Sequence, residues 1–188
     1  MRIRLAGDYM TEKIGILGGG SWGTALGILL AKKGMEVDIW LRNKRQVEDI
    51  KRDGENKKYL PDVKLPANLN VTGDIEKAIR DKKLILLATS TQGIREVLSR
   101  NKTLFNKEQV IVNVSKGIEV GSLKCISEIV KEILPENKYA VLSGPSHAEE
   151  VAREIPTTIV SASVEKEVAE YVQDVFMTNY FRVYTNPD

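Results

Sequence analysis

Residues 14–23 read IGILGGGSWG, and this stretch decides the fold of the chain. A short apolar run ends in glycines spaced as Gly18-x-Gly20-x-x-Gly23, and an alanine-rich apolar segment follows at once. The pattern predicts a strand, a tight turn and a helix, which is the arrangement that holds the pyrophosphate of a dinucleotide. Gly18 permits the turn, Gly20 lets a phosphate approach the backbone, and Gly23 lets the helix pack on the strand. A glycine-rich turn without a ligand is the alternative.

Strand and helix signals alternate along the rest of the chain. Apolar or alternating runs predict strands at 36–41, 84–88, 110–114, 139–142, 157–160 and 181–184. Periodic or capped segments predict a first helix closed by Gly34 and others at 45–52, 75–79, 92–99, 123–134, from Ser146 onward, and at 165–176. The segment 55–70, with two prolines and several asparagines, is predicted to be irregular. This order predicts an α/β, Rossmann-like, doubly wound and mostly parallel sheet with helices on both faces.

Composition limits the classes of partner. With 188 residues, the chain is long enough for one domain with a substantial core. A net charge of +2 gives no reason to expect binding to nucleic acid or to a membrane surface. One cysteine and one histidine exclude an internal disulfide and argue against a metal site, and this usage fits a cytoplasmic location. No apolar run approaches the ~20 residues of a membrane span.

The N-terminal residues 1–12 are interpreted as a leader. Residues 1–9 lack the apolar core and the small-residue cleavage site of a signal peptide. Met10 stands just before the first strand and is an alternative start to Met1, in which case the preceding residues would not be native. Residues 13–188 are predicted to form the dinucleotide-binding domain.

The end of the second strand bears on the choice of cofactor. Proteins selective for NAD usually place an acidic residue there to bind the ribose 2′-hydroxyl. Here Asp38 comes too early, inside the strand, and the end reads Trp40-Leu41-Arg42. Because an arginine can pair with a 2′-phosphate, the sequence favours NADP, or tolerance of both cofactors. A solvated loop arginine is the alternative.

Two segments after later strands are further candidates. Lys116, in Ser115-Lys116-Gly117, follows a buried strand, where a lysine can pair with a phosphate or polarise a carbonyl. A surface lysine in a turn explains the position equally well. Ser146 and Glu149 have the spacing of a capping box, which predicts a helix start that would also present N–H groups to an anion. His147, the only histidine, is a general acid or base in principle only.

Taken together, five motifs resemble the bacterial NAD(P)-dependent glycerol-3-phosphate dehydrogenases. They are GGGSWGTAL (18–26), NKKYLP (56–61), SKGIE (115–119), LSGPSHAEEVA (142–152) and FRVYTNPD (181–188). The resemblance runs from about residue 13 to the end and implies reversible reduction of dihydroxyacetone phosphate to sn-glycerol 3-phosphate, which feeds phospholipid synthesis. Hydride would pass between C4 of the nicotinamide and C2 of the substrate.

The resemblance also implies roles for individual residues. Cofactor contacts are implied at Ser21, Trp22, Arg42, Tyr59, Lys116 and Ala148, in addition to Gly18, Gly20 and Gly23. Substrate contacts are implied at Lys116, Gly144 and Ser146. The chain departs from the family at Ser90, where the family usually has proline.

A larger departure concerns the end of the chain. The family continues past the equivalent of Asp188 into a helical domain that supplies the proton-transfer lysine, so no catalytic residue is assigned in this chain. We therefore expect cofactor binding without turnover, from the cofactor domain of such an enzyme. A non-catalytic NAD(P)-binding module is the alternative. An apolar surface that the helical domain would cover is expected to promote self-association, and a homodimer is one expected form.

Overall fold

The computed structural model describes residues 12–187, which form an eight-stranded sheet flanked by helices. The strands are β1 (Lys13–Leu17), β2 (Glu36–Trp40), β3 (Leu69–Thr72), β4 (Leu84–Leu87), β5 (Val110–Asn113), β6 (Lys138–Ser143), β7 (Thr157–Ala162) and β8 (Phe181–Asn186). The helices are α1 (Ser21–Lys32), α2 (Lys44–Asp53), α3 (Ile75–Ile79), α4 (Thr91–Arg100), α5 (Ile126–Ile133), α6 (Ala148–Ala152) and α7 (Lys166–Phe176), with a short 3₁₀ helix at Lys102–Leu104. The leader (1–12) lies outside the described residues except for Glu12, and Asp188 lies outside them as well.

The sheet has the strand order β3-β2-β1-β4-β5-β6-β7-β8. All neighbours from β3 to β6 are parallel, β7 is antiparallel to β6, and β8 is parallel to β7. The predicted α/β, doubly wound, mostly parallel sheet is thus confirmed. The strand order reverses between β1 and β4, and Leu17 pairs there with both Trp40 and Leu87. The carboxyl ends of β1 and β4 therefore form the topological switch point, which is where such folds bind ligands.

Apolar side chains fill both faces of the sheet. Ile14 and Ile16 of β1 belong to one cluster, which also takes residues from α1, α2, α6 and α7. Leu17 points to the other cluster, with residues from α3, α4 and α5. Helix α1 is buried from Gly23 to Ala31. Its position is set by packing on nearly all sides, and this fixes the direction in which its N-terminus points.

The helix predicted from residue 123 begins later, at Ile126. Leu123 has φ +58°, a left-handed conformation that cannot continue a right-handed helix. Cys125 is the N-cap, and its N–H donates to the Glu128 carboxylate at 2.8 Å. Cys125 is exposed and does not belong to the helix interior.

The capping box predicted at Ser146 is wrong. Helix α6 begins at Ala148, and its N-cap is His147, whose side chain makes no capping bond. The Ser146 hydroxyl instead donates weakly to the Gly144 carbonyl, at 3.5 Å. With Ala148 as the first helical residue, Glu149 is one position too early to close a box.

The segment predicted as irregular contains the start of β3. Its Asn70 pairs in register with Asp38 of β2. Because β3 stands first in the strand order and pairs only with β2 in the sheet, it is an edge strand.

None of the helices in residues 12–187 is long and apolar enough to cross a membrane. In the same part of the chain, no group of three or more His, Cys, Asp or Glu side chains is placed to hold a metal ion.

Candidate functional site

A cleft of about 440 Å³ opens at the switch point. Its size falls within the ~300–1,000 Å³ typical of small-molecule sites. It is lined by the glycine turn (18–20), residues 40–43 at the end of β2, Gln46, Lys58, Tyr59, residues 88–90 after β4, Gly93, Glu96 and Val97. The fold thus brings Gly18, Gly20, Arg42 and Tyr59 together from three separate segments.

Gly18 in the turn and Gly23 in the first turn of α1 are both required by close contacts. Gly18 has φ +125°, and a Cβ there would lie 2.5 Å from the Ala88 carbonyl oxygen. A Cβ on Gly23 would lie 2.1 Å from the Gly18 carbonyl oxygen. Gly18 also donates its N–H to the Trp40 carbonyl at 3.0 Å. The turn is therefore fixed between the ends of β2 and β4 and the start of α1.

Gly20 differs from these two, because a Cβ there would meet nothing within 4 Å. It is the N-cap of α1 and offers no side chain to the helix, whose first turn contains no acidic residue. Among residues 12–187, no acceptor takes the N–H of Gly20 or Ser21. Open space, free N–H donors and the positive end of the helix dipole together suit a phosphate.

Neighbouring helices show how a capped start differs. At α2 the Asn43 side chain accepts the N–H of Gln46 at 3.2 Å, and at α3 Asp74 accepts that of Glu76 at 3.0 Å. In α2 and α3 the side chain of the N-cap residue therefore satisfies one of the N-terminal N–H groups. In α1 no side chain does so, and the N-terminal N–H groups of this helix stay available to a ligand in the cleft.

The carboxyl end of β2 has a basic character. Asp38 lies in the middle of the strand, where it accepts a hydrogen bond from Asn70 Nδ2 at 2.7 Å and pairs with the buried Lys82 ammonium. It does not line the cleft. Arg42 is exposed at the cleft, and no carboxylate among residues 12–187 pairs with it. This end of the strand therefore offers a cation where an NAD-selective protein offers an acid.

Lys58 and Tyr59 lie in the same cleft. The Lys58 ammonium is 4.9 Å from the centre of the Tyr59 ring, a distance at which a cation and an aromatic face attract each other. Leu60, which is 1% exposed, anchors this segment in the core. Sequence reasoning missed Lys58, which gives the cleft a second cation besides Arg42.

Lys116 and two further predicted residues lie along the same sheet edge but outside the cleft. Lys116 follows β5 and is exposed, and its carbonyl accepts the Thr91 hydroxyl at 2.7 Å. Gly144 and Ser146 follow β6, the next strand along. Ala148 is 7% exposed and belongs to the core cluster, because α6 packs against α1.

Trp22, like Ala148, packs against the core of the domain. It is half-buried in the first turn of α1 and packs against the same core cluster as Ala148. Ser21, beside it, is half-buried.

The loop after Lys116 is held against α4. The Gln92 side chain donates to the Ile118 carbonyl at 2.9 Å and accepts the Val120 N–H at 2.8 Å. The Arg95 guanidinium bonds both carboxylate oxygens of Glu119, at 2.8 and 2.9 Å. Hydrogen bonds from Arg95 lower the pKa of Glu119, so this carboxylate stays ionised and keeps the loop in place.

Ser90, the departure from the family pattern, keeps the backbone that proline would impose. Its φ is −58° and its ψ is 140°. Proline fixes φ near −65° and is compatible with this ψ. The serine therefore leaves the cleft loop between β4 and α4 in a shape that either residue adopts.

The chain is similar to known proteins over most of its length. A family model described as "NAD-dependent glycerol-3-phosphate dehydrogenase N-terminus" matches residues 13–169. A Clostridium acetobutylicum protein named glycerol-3-phosphate dehydrogenase (NAD(P)+) is 52% identical over 172 residues, which cover 92% of this chain and 52% of that protein. A protein of the same name from Carboxydothermus hydrogenoformans is 48% identical over 178 residues, with 94% and 53% covered.

A solved structure is similar over the same range. The crystal structure of glycerol-3-phosphate dehydrogenase from Coxiella burnetii superimposes with a TM-score of 0.91 at 34% identity, covering 95% of this chain and 55% of that one. The chain thus spans about half the length of the relatives it matches.

Proposed function

This chain belongs to the NAD-dependent glycerol-3-phosphate dehydrogenase family, and on that premise we propose that it binds NADP(H) in the switch-point cleft, with NAD(H) as the weaker ligand. The observation that carries the proposal is the uncapped start of α1, where Gly20 and Ser21 present free N–H groups to open space. That geometry suits the pyrophosphate, with further contacts from Gly18 in the glycine turn and Gly23 in the first turn of α1.

The preference for NADP rests on the end of β2. Arg42 would pair with the 2′-phosphate, and Lys58 beside it adds a second positive charge to the same cleft. Tyr59, which is 37% exposed, also lines the cleft. We propose Trp22, Lys116 and Ala148 as further cofactor contacts on the strength of the family resemblance alone.

We propose that the intact protein interconverts dihydroxyacetone phosphate and sn-glycerol 3-phosphate in the cytoplasm, for phospholipid synthesis. The bound nicotinamide would supply or accept the hydride. Lys116, Gly144 and Ser146 lie on one sheet edge and would hold the substrate, with Lys116 near both ligands. A cation there would position the substrate, and such positioning can supply several kcal/mol of the barrier reduction.

Titration of the 188-residue chain with NADPH and with NADH tests the binding proposal. Tryptophan fluorescence reports on it directly, because Trp40 lines the cleft. We expect saturable quenching with both nucleotides and a lower dissociation constant for NADPH. No saturable change with either nucleotide would overturn cofactor binding, and a clear preference for NADH would overturn the assignment of Arg42.

We also propose that this chain alone does not turn over, because it spans only about half the length of the relatives it matches. Steady-state oxidation of NADPH with dihydroxyacetone phosphate measures this. Oxidation that scales with the concentration of purified chain would refute the proposal. Sedimentation of the same sample tests whether the chain forms the homodimer that we expect from its sequence.

A further inference from the structure

The buried side chain of Asn56 is bonded directly to the glycine turn. Asn56 is 1% exposed, and its amide nitrogen donates to the Gly19 carbonyl at 2.9 Å and to the Thr24 hydroxyl at 2.8 Å. Its amide oxygen accepts from Gln46 Nε2 at 3.5 Å. One side chain therefore joins the turn, helix α1 and helix α2, although it lies more than thirty residues from the turn in sequence.

The bond to Gly19 determines which way the next N–H points. In a planar trans peptide the carbonyl and the N–H point in opposite directions. Since Asn56 holds the Gly19 carbonyl on its own side, the N–H of Gly20 in the same peptide points away from Asn56. Nothing among residues 12–187 accepts that N–H, and the space at Gly20 is open.

Without such a bond this peptide would be easy to rotate. Both residues around it are glycines, which have no Cβ to restrict their dihedral angles. A rotated peptide would turn the Gly19 carbonyl oxygen toward an incoming phosphate, and the two negative partners would repel each other. The bond from Asn56 opposes this rotation before any ligand arrives.

We infer that Asn56 is a positioning residue, which holds the Gly19–Gly20 peptide so that the Gly20 N–H donates to the dinucleotide pyrophosphate. The inference rests on the proposed cofactor binding. It also gives a physical reason for an asparagine at the first position of the NKKYLP segment. Through its bond to Gly19, Asn56 fixes the cleft-lining residues Lys58 and Tyr59 relative to the glycine turn.

The test combines nucleotide affinity with the NMR signal of one amide. In the wild-type chain, saturating NADPH is expected to move the Gly20 amide proton downfield, as a new hydrogen bond to phosphate does. In Asn56→Ala we expect NADPH to bind about tenfold more weakly, the cost of one well-placed hydrogen bond, and the downfield shift of Gly20 to disappear. Asn56→Ser, too short to reach the Gly19 carbonyl, gives the same readout should the alanine variant not fold.

Gln109→Ala is the matched control. Gln109 is also 1% exposed, and its amide also bonds two backbone carbonyls, those of Ile79 and Lys82, at 2.6 and 3.1 Å. It precedes β5 and so lies at the opposite edge of the sheet. We expect Gln109→Ala to lower stability without changing NADPH affinity or the Gly20 shift.

Three outcomes would count against the proposals in distinguishable ways. An Asn56→Ala chain that keeps both the affinity and the Gly20 shift overturns the positioning role alone. Equal losses in Gln109→Ala also overturn it, because they trace the effect to general destabilisation. A wild-type chain that shows neither binding nor shift overturns the proposed function itself.

Discussion

Gly23 and Gly20 have opposite surroundings, so substituting each of them separates an effect on folding from an effect on cofactor binding. In Gly23→Ala the new methyl group would lie 2.1 Å from the Gly18 carbonyl oxygen, so α1 must move away from the turn. We expect a loss of about 1–3 kcal/mol in the free energy of unfolding, as for other overpacked sites. Urea denaturation measures it, and a stability equal to that of the wild type would contradict the contact.

Gly20→Ala places the same methyl group in open space. The φ of Gly20, −73°, suits any residue, so we expect the free energy of unfolding to stay within about 1 kcal/mol of the wild-type value. The methyl group would instead occupy the approach of the pyrophosphate, and NADPH affinity should fall about tenfold or more. Unchanged affinity in this variant would place the phosphates elsewhere.

Arg42 is expected to decide between the two nicotinamide cofactors. Removing its guanidinium in Arg42→Ala should weaken NADPH binding about tenfold to a hundredfold, the range of a charge-assisted hydrogen bond, and leave NADH nearly unaffected. Arg45→Ala removes an exposed arginine that does not line the cleft, and serves as the control. Equal losses for both nucleotides in Arg42→Ala would show that the side chain does not contact the 2′-phosphate.

Residues of the site could be predicted to different extents. Gly18, Gly20 and Gly23 follow from local spacing, since the turn that needs them is made of adjacent residues. Asn56 reaches the glycine turn and Lys58 reaches the cleft only because a long excursion folds back on α1, and nothing in their own neighbourhood indicates those contacts. The N-caps Cys125 and His147 were missed because neither is a usual capping residue.

At the scale of elements, the C-cap residue of α1, Lys33, caps the C-terminus of α7 through hydrogen bonds to its last carbonyl groups. The Lys33 ammonium donates to the carbonyls of Asp174, Val175 and Met177, at 2.7–2.8 Å. Burial lowers the pKa of Lys33 to about 8. Lys33→Met would leave these carbonyls without their donor, and we expect a loss of about 1–3 kcal/mol in the free energy of unfolding.

Lys32→Met is the matched control for this bond. Lys32 pairs with Glu154 at 2.6 Å, and both side chains are nearly half exposed. Such surface pairs contribute at most ~1 kcal/mol. Chemical denaturation measures the free energy of unfolding of both variants. Equal losses in Lys33→Met and Lys32→Met would show that the Lys33 contacts do not stabilise α7.

The loop between β5 and α5 is expected to respond to acid. Because Arg95 lowers the pKa of Glu119 in the folded state, ionised Glu119 adds stability above the carboxyl group's ordinary value of 4.5. That contribution is lost as the pH falls through the lowered pKa. The difference in stability between the wild type and Glu119→Gln should therefore be largest at neutral pH and shrink below pH 4.5.

Denaturation of both chains from pH 7 to pH 3 measures this difference. Glu96→Gln, which removes an exposed partner of Arg100, is the control and should differ little from the wild type throughout. A difference between the wild type and Glu119→Gln that does not change with pH would mean that the charge of Glu119 plays no part in holding the loop.

Elements differ in how clearly the sequence predicts them. The central strands β4 and β5 are buried on both faces, and their continuous apolar runs are visible without context. The edge strand β3 is only four residues long, and its first two residues fall in the segment that the sequence predicts to be irregular. Its extended conformation depends on pairing with β2, which is a property of the assembled sheet.

For the whole molecule, alternation of strands and helices predicts the class of fold but not the full topology. The connection from β6 to β7 contains a five-residue helix, yet the two strands are antiparallel. Helix α6 packs against α1 rather than carrying the chain back over the sheet. Local patterns do not distinguish this course from a parallel crossover, because the difference lies in where a short helix docks.

Cofactor binding should raise the stability of the whole molecule. A ligand that binds only the folded state at a hundred times its dissociation constant adds about 2.7 kcal/mol. For a chain of this length that corresponds to a rise of about 5–11 °C in Tm. We expect NADPH to produce this rise in the wild-type chain, measured by calorimetry, and to produce at most about half of it in Gly20→Ala at the same concentration, because a tenfold weaker ligand then adds only about 1.4 kcal/mol. Because the unliganded Tm of the two chains should be nearly equal, a similar rise in both would locate the nucleotide away from the N-terminus of α1.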